Sequence, residues 1–140
     1  MKNIVLMTLL CIFTLAGSLA ITSCQQPGGP ESALLQGAVT IGPLTPVQRV
    51  GECPTAAPGV FAARKIEIYD ASGKTLVREV TITQIDSTAN GYYTVLLAPG
   101  TYTVDFNHTG IDRAGNLPQK ITLAANQTVT IDVNIDTGIR

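Results

Sequence analysis

The chain has 140 residues, a single-domain length. Its 9 basic and 10 acidic side chains nearly cancel, which excludes the clustered basic face that nucleic-acid binding requires. A single histidine with no zinc-ligand spacing around it excludes a histidine-built metal centre.

Residues 1–23 read as an export leader. Lys2 is a positive n-region, and residues 4–16 (IVLMTLLCIFTLA) are an apolar run. That run falls short of the ~20 residues that span a bilayer. Gly17 and Ser18 end it, as in a secretory signal. Ile21, Thr22, Ser23 and Cys24 resemble the bacterial lipobox, in which an aliphatic residue and two small ones precede a cysteine. The resemblance implies signal-peptidase recognition through Ile21, Thr22 and Ser23, and cleavage before Cys24. It also implies a diacylglyceryl group on the Cys24 sulfur, with palmitate-type acyl chains as the membrane partner. Two or three chains hold a protein stably where one does not. The resemblance implies a lipid-anchored place on the cell membrane or outer membrane, facing the periplasm or the exterior; in Gram-negative lipoproteins an aspartate after the anchor marks inner-membrane retention, so Gln25 leans towards the outer membrane. Without the leader the chain keeps 8 basic and 10 acidic groups, a net charge of −2.

Residues 24–33 form the anchor and a tether. Residues 25–32, QQPGGPES, are a polar Pro/Gly linker that reaches about 28 Å at most when extended. The domain it carries, residues 34–140, is therefore membrane-proximal. Such a domain buries roughly 65–70% of its unfolded surface, enough to fold without a metal or a disulfide.

Seven strands follow. The first spans 34–41 and is closed by Gly42-Pro43, after which a Pro/Gly-rich loop runs to Gly59. The second covers 62–69, where Ile66 and Ile68 alternate with polar residues. Asp70 and Gly73 suit the ends of a type I turn. The third is 76–84 (LVREVTITQ), β-branched and alternating. Residues 86–91 (DSTANG) end in an Asn-Gly turn signal. The fourth, 92–98, meets Pro99-Gly100, which fits a type II turn with positive φ at the glycine. The fifth, 101–107, is expected to return antiparallel to the fourth. The sixth is 119–123. Ala125-Asn126 turns into the seventh, 127–135. No amphipathic helix of useful length interrupts the series. The pattern predicts an all-β, seven-stranded antiparallel β-sandwich of the transthyretin-like or Ig-like kind.

The stretch DSTANGYYTV followed by Leu97-Ala98-Pro99-Gly100-Thr101-Tyr102 resembles the carboxypeptidase regulatory-like domain, whose fold is a transthyretin-like (prealbumin-like) sandwich. Gly37, Gly42-Pro43, Pro46-Val47, Cys53-Pro54 and Pro58, with the closing Asp136 to Arg140, are similar to small exported bacterial members. Their openings often carry a second cysteine. Here that position is Leu44 or Thr45, so Cys53 has no partner and a disulfide between those loops is excluded. In carboxypeptidases this domain lies beside the catalytic domain and does no chemistry, so the resemblance implies a non-catalytic module. Hydroxyisourate hydrolases share the fold but depend on several histidines and a distinct C-terminal tail. This chain has one histidine and ends Thr-Gly-Ile-Arg140.

The remaining candidates are few. His108 lies in a polar loop without co-ligands and reads as a solvated loop residue. Cys53 is the only thiol after the anchor; it reads as a spare thiol or as the bridge of a homodimer. Asp70, Asp86, Asp105, Asp112, Asp132 and Asp136 are too sparse for a calcium loop, and Asp86 and Asp112 read as turn formers. Tyr102 reads as a packing residue. Adjacent Tyr92 and Tyr93 face opposite sides of a strand and form the candidate ligand surface, one ring in the core and one exposed. The glycosylation sequons at Asn107 and Asn126 read as accidental. No metal, no cofactor and no catalytic residue is expected. The chain reads as a surface lipoprotein displaying an interaction or structural module for another envelope protein, with carbohydrate or cell-wall binding as the alternative.

Overall fold

A computed structural model describes residues 31–47, 51 and 55–140. Ile21, Thr22, Ser23, Cys24 and Cys53 lie outside the described residues. Two β-sheets pack face to face. One sheet takes the order β4-β5-β1-β10-β7, with β9 also paired to β1. Its strands are β1 (Ala33–Gly42), β4 (Thr83–Gln84), β5 (Asn90–Leu97), β7 (Arg113–Ala114), β9 (Thr128–Thr130) and β10 (Val133–Asp136). The other takes the order β3-β2-β6-β8, with β2 at Lys65–Tyr69, β3 at Leu76–Thr81, β6 at Gly100–Phe106 and β8 at Gln119–Leu123.

The sandwich follows from period-2 alternation. Leu35, Val39 and Ile41 of β1, Tyr93 of β5 and Ile135 of β10 point inward. They meet Ile66 and Ile68 of β2, Val104 and Phe106 of β6, and Leu123 of β8. Each such side chain contributes about 1.5–3 kcal/mol by leaving water.

Two expected strands are broken, and a short extra one appears at β7. Expected strand 76–84 switches sheets: β3 belongs to one sheet and β4 to the other, with buried Ile82 at the corner. Expected strand 127–135 breaks between β9 and β10, both of which run parallel to β1. The first sheet is therefore mixed rather than wholly antiparallel. Gly37 permits this break, since a Cβ there would lie 1.8 Å from the Ile131 carbonyl oxygen. The Ile131 amide donates to the Gln36 carbonyl at 2.9 Å. The Asp132 carboxylate then accepts from the Ala38 amide at 2.8 Å, where a side chain stands in for the ladder bond.

Three turn expectations change. A five-residue helix, α1 (Pro58–Ala62), ends the expected loop and buries Phe61; it meets expected strand 62–69 at Ala62, and that strand starts at Lys65. The β4–β5 turn is made by Asp86 and Ser87, both at positive φ, while Asn90 and Gly91 already belong to β5. Gly91 is needed for space: a Cβ would meet the Phe61 ring at 2.6 Å and the Thr83 carbonyl at 2.8 Å. Finally, β5 and β6 lie in different sheets, so Pro99-Gly100 is a corner and not a hairpin turn. Gly100 is not among the positive-φ glycines. The Tyr102 hydroxyl clamps this corner by donating to the Ala98 carbonyl at 3.0 Å, as tyrosine corners do in sandwiches.

The chain enters the sandwich at one pole. The Ser32 carbonyl accepts from the Asn126 amide, and the Leu34 amide donates to the Gln127 carbonyl. Leu97 and Gly100 lie at the same end. The opposite pole holds the end of β1, α1, the loop from Thr109 to Leu117, and Thr137.

Candidate functional site

The structure separates the two tyrosines as alternation requires. Tyr93 is 1% exposed, and its hydroxyl donates to the Ile131 carbonyl at 2.9 Å. Burial, with the nearby Asp132 charge, raises its pKa well above the ordinary phenol value. Tyr93 is thus a core residue that ties β5 to the β9–β10 break, and it offers no ligand surface. Tyr92 is 46% exposed and stands on the outer face of the first sheet.

On that outer face the outward residues of β4, β5, β1 and β9 carry no charge over four rows, and the Asp132 carboxylate beside Ala38 borders them. Tyr92 has Ala38 on one side and Thr83 on the other. The next row toward the entry pole is Thr94, Gln36 and Thr130, and beyond it lie Leu96, Leu34 and Thr128. On the far side of Tyr92 are Asn90, Thr40 and Asn134. Leu96 is 62% exposed. The outer face of the second sheet has the opposite character. Lys65 pairs with Glu79 there, and the Tyr69 hydroxyl donates to Glu67 at 2.6 Å, a bond that raises the Tyr69 pKa to about 12. Asp105 and Lys120 lie on neighbouring strands of that sheet.

The two sheet edges differ as well. β3 is the outer strand of its sheet and is exposed along most of its length. Its register shifts at Val77, and the edge residue Arg78 opposes buried Ile68. A bulge and an inward-pointing charge are devices that blunt an edge. β5 is covered by β4 only at Gly91 and Tyr92.

A third feature was not singled out from sequence. Arg64 and Asp112 form an ion pair at the pole opposite chain entry, Nε to Oδ2 at 2.7 Å, with side chains 12% and 4% exposed. The Arg64 Nη1 also donates to the Val60 carbonyl at 2.7 Å. Asp112 is therefore a buried partner of Arg64 and not merely a turn former. The pair lines a cleft of about 370 Å³ whose other walls include Leu44, Thr55, Ala57, Val60 and Ile139. Sequence spacing could not reveal it, because 48 residues separate the partners and only the β2–β6 pairing brings them together.

The remaining candidates are placed as follows. His108 is half-exposed; its ring packs on Phe106 with centroids 4.2 Å apart, and Nε2 lies 3.5 Å from Asp105. Asp70 and Asp132 serve the backbone, and Asp136 pairs with Arg140 at 2.8 Å. Among the described residues no group of three or more His, Cys, Asp or Glu is placed to hold a metal ion. None of the described helices is long and apolar enough to cross a membrane.

No protein-family profile matches the chain, and no curated protein matches it in sequence. In structure the chain is similar to GBS52, the minor pilin of the Gram-positive pathogen Streptococcus agalactiae, with 19% identity and a TM-score of 0.46. That likeness covers 76% of this chain and 44% of the pilin, so the chain spans less than half of the pilin's length.

Proposed function

We propose that this protein is a lipid-anchored surface lipoprotein whose carboxypeptidase regulatory-like sandwich is a non-catalytic interaction or structural module. The observation that carries the reading is the outer face around Tyr92, where β4, β5, β1 and β9 present no charged side chain and Asp132 stands at the border. An exposed aromatic, two leucines and rows of small polar groups suit a docking surface. The lipobox-like Ile21-Thr22-Ser23-Cys24 supplies the anchor. The short tether enters at one pole, so the strands stand between the membrane and the far pole. Metabolic labelling with an alkyne fatty acid tests the anchor. The full chain takes the label and sediments with membranes, and Cys24→Ser does neither. Labelling that survives Cys24→Ser overturns it.

A second reading is favoured by the same face. Hydroxyl and amide groups around one exposed tyrosine ring suit a neutral glycan of the cell wall. Isothermal titration with peptidoglycan fragments would then give a heat of binding that Tyr92→Ala abolishes. Absence of any heat eliminates this reading and leaves the protein-docking one.

A further inference from the structure

The cleft beside Arg64 and Asp112 stands apart from the Tyr92 face and is independent of how the chain is anchored. Taking two charges out of water costs several kcal/mol per ion, and well-packed apolar residues usually do as well or better for stability. A buried pair on a cleft wall therefore calls for another account.

The geometry of the pair supplies it. Arg64 uses Nε for the Asp112 carboxylate and Nη1 for the Val60 carbonyl. Both N–H groups of its Nη2 have no partner among the described residues. Asp112 uses Oδ2 for Arg64, while its amide donates to the Thr109 carbonyl; its Oδ1 is likewise unengaged. Every buried side-chain nitrogen and oxygen among the described residues has a partner, so these open atoms reach solvent, and the cleft is what both residues line. The guanidinium is held at two points and cannot swing away. The wall thus presents a fixed donor next to a fixed acceptor on a pair with no net charge.

A lone carboxylate would meet repulsion from Asp112, and an ammonium would meet repulsion from Arg64. An extended peptide residue meets neither, because its own C=O and N–H point to the same side: the carbonyl accepts from Nη2 while the N–H donates to Oδ1. Leu44, Val60, Ala57 and Ile139 give the cleft a small apolar lining, which suits methyl-sized side chains. The volume of about 370 Å³ lies at the lower end of the range of ligand sites. We propose that the cleft at the far pole, lined by Arg64 and Asp112, binds the backbone N–H and C=O of one small apolar residue, such as alanine, in an extended peptide.

The test is NMR titration of the isotope-labelled full chain in detergent with N-acetyl-L-alanine N-methylamide. Saturable shifts of the Arg64 Nε–H and the Ala57 and Asp112 amides are expected. Methyl O-acetyl-lactate keeps the carbonyls and the shape but lacks both N–H groups. It should bind at least tenfold more weakly, because it leaves Oδ1 desolvated and unpaired. Ala57→Phe fills the cleft without touching the ion pair and should abolish the shifts while leaving the remaining spectrum unchanged. No shifts with the amide, equal binding of the ester, or shifts that persist in Ala57→Phe would each overturn the proposal. So would saturation by N-acetylglucosamine with the peptide probe silent, which would assign the site to an acetamido sugar.

Discussion

At the Asp70 turn one carboxylate oxygen collects the Ser72 hydroxyl at 2.6 Å and the Ser72, Lys74 and Thr75 amides. Gly73 completes the turn at a φ of 71°, where a side chain would be strained. The Ser72 hydroxyl, helped by the amides, lowers the Asp70 pKa from 3.8 to about 2. A carboxylate whose folded pKa is depressed stabilises the fold above its unfolded pKa and loses that effect as pH falls through the folded value. Asp70→Asn should therefore melt below the wild type at pH 6, and the gap should close on approaching pH 2. Thermal melts across that range check it, and a gap that stays constant contradicts the assignment. The turn was legible because Asp and Gly at fixed spacing each have a local backbone reason to be there. The Arg64–Asp112 pair was not legible, since neither residue carries a local signal for the other. The Tyr92/Tyr93 split was legible as a split; which ring went inward depended on the register that Gly37, Tyr93 and Ile131 fix together.

At the scale of elements, the sequence pattern located most strands and misread how they connect. Residues 119–123 are a strand as expected. Alternation runs unbroken through Ile82 and through Ile131, so nothing in the period-2 signal marks the two breaks. Ile82 is a corner because its side chain turns into the core while the strand passes from one sheet to the other. At the second break the deciding residue is distant, since Gly37 leaves room for the Ile131 backbone against β1. Gly37→Ala should thus be strongly destabilising, by about 3 kcal/mol or more, through overpacking against backbone that cannot yield. Denaturant unfolding measures this, and hydrogen exchange at the Ala38 amide should quicken as its bond to Asp132 is lost. A cost within about 0.5 kcal/mol would contradict the close crossing. The Pro99-Gly100 corner carries the same lesson. The residues mark a turn, while the Tyr102 bond to Ala98 and the sheet assignment decide that it joins two sheets.

Over the whole molecule, the sandwich has two unlike outer faces and two unlike poles. One face bears Tyr92 among uncharged residues with Asp132 at its border, and the other is laced with Lys65, Glu67, Glu79 and Lys120. The chain enters at one pole, and the Arg64–Asp112 cleft opens at the other. A lipid on Cys24, as proposed, would place the entry pole toward the membrane and leave the Tyr92 face running along its normal, open to a neighbour in the envelope. The decisive measurement is site-specific photo-crosslinking of the full-length protein in living cells. A photoreactive residue is placed at Tyr92 on the first sheet's outer face, or at Lys120 on the charge-laced one. The account predicts a discrete adduct from position 92 that is absent from position 120 and is lost when Thr94→Arg puts a charge into the face. Equal adducts from both positions, or none from position 92, would contradict it.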